Sequence, residues 1–430
     1  MAYIGKQEPE GRERNRGPKR RWTIPAPPGL SPCGLEARQI LEEVSGPLGV
    51  ELWQRFRDAV VWNAVSPGDR HHLFLKTTYL RDPAFADAAA EAVEIHPALA
   101  AFAELIGSAR AVDARALAKA SVSISEWATL HGYEETAALY AGLAARLRPR
   151  DPDLAFSAGR AERRCGRYER AEEWFLRAIG LSRRAGDDAA YASAFLGWGL
   201  MEEQRGRRAS ARQKYVRAWR AAMRGSFHQL GAAARHNLIA LSVPDEPFDV
   251  GLAHVIAAYK LYDDSSPERL ALLALDAGVF FAEHGFYAHA LRLYDALARH
   301  IARPAVQVAL LANVARAAAA VGDRDRFRMA YETVKREDAQ KGEFAPAALA
   351  EIARAAHTLG LDGKAIATAN EALKIARSRG MAGAERAALD VIEAVREKRA
   401  GDVPREPPPR VVRFVNRFVR RLEPLSSMES

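Results

Sequence analysis

The chain has 430 residues, 49% of them hydrophobic, and 63 Lys and Arg against 54 Asp and Glu give a formal net charge of +9. Its two cysteines, Cys33 and Cys165, match none of the closely spaced metal or redox pairs, which excludes a disulfide framework and points to a reducing compartment. No uninterrupted apolar run approaches the ~18 residues needed to span a bilayer, and the basic N-terminus lacks a signal peptide's apolar core, so a soluble cytoplasmic protein is expected.

Residues 1–32, rich in Arg, Gly and Pro, read as a basic disordered arm, with Arg20 and Arg21 beside Trp22 as its one docking feature. A helical N-terminal region follows over 33–130. Ile40, Leu41 and Val44, then Leu52, Trp53, Phe56 and Val60, keep a 3.6-residue period, and Ala84–Val93, Pro97–Ile106 and Ala114–Leu130 read as further helices. The adjacent His71 and His72 lack the separation of three or four that two ligands on one helix face need.

From 131 to 400 the chain repeats. Gly159, Ala171, Phe175 and Ala178 recur as Gly199, Ala211, Tyr215 and Ala218, and again as Gly278, Ala290, Tyr294 and Leu297. Equivalent positions, Ala171, Ala211, Gly251, Ala290, Phe327 and Ala365, return every 37–40 residues, room for two antiparallel helices per unit. Gly166, Gly206, Gly285, Gly322 and Gly360 fall where a first helix must stop at a left-handed residue. The small residues permit close helix approach, and Phe175, Tyr215, Tyr294 and Tyr331 are expected to fill the space toward the next unit. Ala384–Arg399 reads as a capping helix, 401–409 as a Pro-rich linker, 410–423 as a basic amphipathic tail helix and 424–430 as a disordered end.

This pattern of turn glycine, two small helix residues and an aromatic resembles the tetratricopeptide repeat family, in a longer-period variant. The resemblance covers about 133–380. It implies an all-α fold, a right-handed superhelical solenoid of antiparallel helix pairs, with the helical N-terminal region ahead of it. It also implies that the first helix of every unit lines a concave groove, with Arg160, Arg163, Arg164, His236, Asn237, Arg316, Arg354 and His357 on or near that lining. Ser157 and Gly197 stand where the chaperone-tail-binding subclass carries Asn, so that activity is not carried over.

No catalytic motif is found, so the protein is read as non-enzymatic, with no cofactor and no metal. Gly363 and Lys364 lack the preceding strand, the earlier glycine and the following Ser or Thr of a phosphate loop. The charge is uneven: residues 146–224 carry nineteen basic and ten acidic side chains, while 225–400 are balanced. A groove basic in its early units suits an acidic or amphipathic segment of a partner protein. A regulatory receptor for a small peptide or ligand, and a basic surface against nucleic acid, are the alternatives. On the tail helix Val411, Phe414, Val415, Phe418 and Leu422 form an apolar stripe flanked by Arg413 and Arg417, open to three readings: docking on a partner, on an anionic membrane, or on this chain's own solenoid.

Overall fold

The computed structural model describes residues 23–29, 37–70, 73, 92–108, 113–242, 246–263, 267–301, 303–336, 342 and 344–423. Arg20, Arg21, Trp22, Cys33, His71, His72, the expected helix from Ala84 up to 91 and the expected disordered end lie outside the described residues. Among those described, nineteen α-helices and no strand occur. They are α1 (Arg38–Glu43), α2 (Gly46–Ala64), α3 (His96–Ser108), α4 (Ala114–Leu130), α5 (Glu134–Leu147), α6 (Pro152–Arg164) and α7 (Tyr168–Ala185). Next come α8 (Asp188–Gln204), α9 (Arg208–Arg224), α10 (His228–Ala240), α11 (Phe248–Leu261), α12 (Pro267–Glu283) and α13 (Tyr287–Leu297). The last are α14 (Pro304–Val321), α15 (Arg324–Val334), α16 (Ala345–Thr358), α17 (Asp362–Ser378), α18 (Ala382–Arg396) and α19 (Pro409–Leu422).

Local chemistry sets the helix ends. Asp113, Asp151 and Asp187 cap α4, α6 and α8, their carboxylates accepting from backbone N–H groups of the first turn. The turns after α4, α6, α8, α12, α14 and α16 each place a glycine at positive φ: Gly132, Gly166, Gly206, Gly285, Gly322 and Gly360. There the absent Cβ lets the chain reverse within three residues. The turn between α9 and α10 uses Ser226 instead, at φ 59°.

Each pair from α4/α5 to α16/α17 packs antiparallel, and α6, α8, α10, α12, α14, α16 and α18 also pack on one another in sequence. The first helices therefore form an inner layer, with the second helices outside, as stacked repeats require. The glycines of α6 and α8 face rings rather than backbone. A methyl group at Gly159 would lie 2.8 Å from the Phe175 ring, and one at Gly199 would lie 2.5 Å from that of Tyr215. Gly278 faces Tyr294 in the same way. The expectation that the aromatics point to the next unit holds for Phe175, which also meets Gly197, and for Tyr331, whose hydroxyl lies 2.7 Å from Thr368 Oγ1. Tyr215 meets Gly199 of its own unit and packs with Leu238 and Leu241 of the next, while Tyr294 lies against Gly278 of its own. In the unit with Val255 in place of the aromatic, Gly251 of α11 receives the ring of Phe280 from α12.

Ahead of the array, α1, α2 and α3 bury Ile40, Leu52, Phe56, Trp62, Leu99 and Phe102 against Ile124 and Tyr140 of the first pair. Although Gln307, Asn313 and Arg316 interrupt it, α14 is by length and composition long and apolar enough to cross a bilayer. Half of that stretch is buried inside the array, and its Arg316 is engaged in ion pairs.

Two extended segments brace the coil. Residues 23–28 run over α7, where Ile24 packs on Gly180 and Arg177 donates to the carbonyl of Pro25, and on to α5, whose Arg146 donates to that of Pro28. At the other end, 399–408 crosses from α16 to α12 as a strap. The Arg399 carbonyl meets His357 Nε2 at 2.9 Å, the Asp402 amide donates to Thr358 Oγ1, and the Arg405 amide donates to the Gly285 carbonyl. The array also curls back on itself. α18 packs on α8, the Arg379 carbonyl lies over the turn at Gly166, and Ala382 lies over Gly206.

Candidate functional site: the inner face of the array

Of the eight residues assigned to the groove, Arg160 is the one most open to solvent. It sits on α6 with its guanidinium over the ring of Phe156, 5.7 Å from the centroid. Desolvation lowers its pKa first, and the charges of Arg164 and Arg303 lower it further, while Glu126 opposes them. Arg164, one turn on, donates to Thr129 Oγ1 at 3.1 Å. Arg163, next to it, is buried and bears electrostatically on Tyr168 and Tyr215. Arg303, which precedes α14, reaches this place only because the superhelix brings the later units round to α6. The inner face therefore gathers like charge from segments far apart in sequence.

The rest of the expected lining is occupied from within. His236 on α10 is buried. Its Nε2 lies 2.6 Å from Asp276 Oδ2, a contact without hydrogen-bond alignment, and its Nδ1 lies 3.3 Å from the Tyr262 hydroxyl. Asn237 beside it is half-buried. Arg316 is 2% exposed and bound by Glu283, Glu351 and Asp402, the last at 2.8 Å. Arg354 shares Glu283 at 3.9 Å, and His357 is held between Asp362 and the Arg399 carbonyl. These three belong to the seam between the late units and the strap, so they are not open to an acidic partner. Sequence reading placed them on the right helices; it could not see that Asp402, 86 residues from Arg316, returns to them.

Glu203, Asp276, Glu283, Glu351, Asp402 and Arg303 are the inner-face residues that the sequence reading missed. Glu203 on α8 accepts a 2.6 Å hydrogen bond from the Tyr215 hydroxyl. Burial pushes its carboxyl up to about 7, the charge of Asp276 adds to this, and the Tyr215 bond and Arg208 oppose it. A signal was present. The fourth and fifth positions beyond each first-helix glycine carry Arg163 and Arg164, Glu203 and Gln204, Ala282 and Glu283.

Part of the basic stretch is also paired with acids. Arg167 pairs with Glu135 and Glu162, Arg170 with Glu162, Arg205 with Glu169, Arg207 with Glu202 and Arg212 with Glu246. Lys214 lies over Trp198, 4.1 Å from its centroid, and Arg217 over Phe195.

The tail helix docks in cis. Val411, Phe414, Val415, Phe418 and Leu422 are buried, with Phe414 and Phe418 edge-on to Tyr259 at centroid distances of 5.3 and 4.9 Å. Arg421 donates to the carbonyls of Tyr259 and Tyr262, both at 2.7 Å. Of the three readings of this stripe the fold selects the third, because exposing two phenylalanines and three aliphatic side chains is unfavourable by about 1.5–3 kcal/mol each. The stripe is thus not an open surface for a partner or a membrane.

A scan against protein-family models finds no match, and a search of the curated proteins finds none. Among solved structures, the tetratricopeptide-repeat domain of P58(IPK) is similar to this chain at 13% identity and a TM-score of 0.21, covering 73% of this chain and 99% of that one. A score that low carries no weight of its own, and the helix-pair architecture rests on the packing described above.

Proposed function

We propose that the protein is a non-enzymatic interaction scaffold whose inner face binds an acidic segment of a partner protein through α6 and the units opposite it. One observation supports this reading above the others: Arg160, Arg164 and Arg303 converge on that face at a cost to the Arg160 charge. A carboxylate-bearing segment offsets the like-charge repulsion among them and accepts charge-assisted hydrogen bonds from the guanidiniums. The surface is narrower than the whole basic stretch, since seven of the other arginines there, Arg148, Arg167, Arg170, Arg205, Arg207, Arg212 and Arg224, already have acidic partners. Phe156, half-buried beside Arg160, offers an apolar contact for an amphipathic segment. A cytoplasmic setting is part of the same proposal, Cys165 being a free thiol.

The test is fluorescence anisotropy with a labelled peptide of alternating Glu and Leu. Wild type is expected to bind it, and Arg160→Glu to weaken binding by about tenfold or more at low salt, with helicity and melting unchanged. Equal binding by the two proteins overturns the reading.

A further inference from the structure

Docking of α19 fixes the direction of its other face. Arg410, Arg413, Arg417 and Arg420 follow at intervals of three, four and three residues, all exposed, on the side away from the buried stripe. Arg410 is tied to Asp249. Among the described residues, Arg413, Arg417 and Arg420 have no hydrogen-bond or ion-pair partner. No acidic residue occurs between Arg410 and Leu422. A helix rises 1.5 Å per residue, so the four guanidiniums form a row about 15 Å long. It is anchored by five buried apolar side chains and by Arg421 on two backbone carbonyls.

We infer that this row is a docking surface for the phosphate backbone of a nucleic acid, without base reading. Membrane binding by an amphipathic helix needs its apolar face, which here is consumed in the core. A stable protein interface is built around aromatic or aliphatic anchors, and the row presents none. What remains is a rigid line of guanidiniums, three of them uncompensated. That matches an evenly spaced polyanion: duplex DNA carries one charge per about 1.7 Å of axis, and each guanidinium binds phosphate oxygens bidentately. The surface is separate from Arg160 and does not depend on the inner-face proposal.

The probe is a labelled random-sequence duplex of about 20 base pairs, with anionic phosphatidylserine vesicles and polyglutamate as comparison ligands. The full chain is expected to bind the duplex with a slope of log K against log salt of about −3. Combined charge reversal, Arg413→Glu with Arg417→Glu and Arg420→Glu, is expected to remove about three from that slope and to weaken binding at least about tenfold. The Arg→Lys triple variant is expected to retain the slope, and Arg160→Glu to leave duplex binding intact. Melting curves of both triple variants identify loss of fold, and the milder Arg→Gln triple variant replaces the charge reversal if that one unfolds. Duplex binding that survives loss of the three charges, binding of vesicles or polyglutamate in place of duplex, or loss of duplex binding in Arg160→Glu each overturns the inference.

Discussion

Ser226 shows what a single backbone angle costs in a repeat. Its φ of 59° is a conformation that the equivalent turns give to glycine, and an L side chain there is strained by about 1–2 kcal/mol. Ser226→Gly is expected to stabilise the protein by about 0.5–1 kcal/mol, the gain being offset in part by the greater freedom of glycine in the unfolded chain. Urea denaturation reads this as a higher midpoint at unchanged slope. Glu203 and Asp402 act at the same scale with opposite signs. Glu203 has its pKa raised in the fold, so its contribution is full below about 4.5 and is lost as pH rises through about 7. Asp402 and Glu283 are held below the carboxylate range by Arg316, although burial works against this, so their contribution is present at neutral pH and is lost in acid. Glu203→Gln is therefore expected to remove a decline in stability, on the order of 2–3 kcal/mol, between about pH 4.5 and 7. Melting measured across that range checks it, and an unchanged decline refutes the role given to Glu203.

At the scale of elements, the parts legible in the sequence were those whose partners lie within one unit. Gly159 and Phe175, or Gly199 and Tyr215, are sixteen residues apart, and their contact survives in the repeat as a fixed interval. The tail helix was legible as a helix and as a stripe, because both follow from 3.6-residue spacing. Its seat on Tyr259 was not, since nothing near Phe414 specifies a partner about 150 residues earlier. The strap was least legible of all: an extended segment has no periodicity, and Asp402 looks like any linker acid until Arg316 is found beneath it. The same limit applies to the candidate site, where the charge of Arg316 was plain in the sequence and its neutralisation was not. Phe418, fully buried where α19 meets Tyr259 of α11, measures how firmly the element is held. Phe418→Ala is expected to cost about 3–5 kcal/mol, seen as a lowered melting temperature; a loss below about 1 kcal/mol means that α19 adds little to the core.

Across the whole molecule, charge and curvature have to be considered together. A surplus concentrated in 146–224 suggested a broadly basic early groove, yet Glu162 and Glu202 from the same units, and Glu135, Glu169 and Glu246 from adjacent ones, pair with its arginines. Two gatherings of basic charge stand out: the approach of Arg164 and Arg303 to Arg160, created by curvature, and the outer row on α19, created by docking. Neither could be located from net charge, because each depends on which side chains the fold brings together.

The contact of α18 with α8 gives the coil a mechanical character that an open solenoid lacks. An open array stretches as a spring, every unit yielding a little. Here the far end is fastened to the second and third units at Gly166 and Gly206, and the strap ties three late first helices together through Arg316, Thr358 and Gly285. Tension on the termini falls first on these clasps, and the units between them are shielded until the clasps part. The coil is thus expected to open in a step, when these contacts part, rather than by degrees.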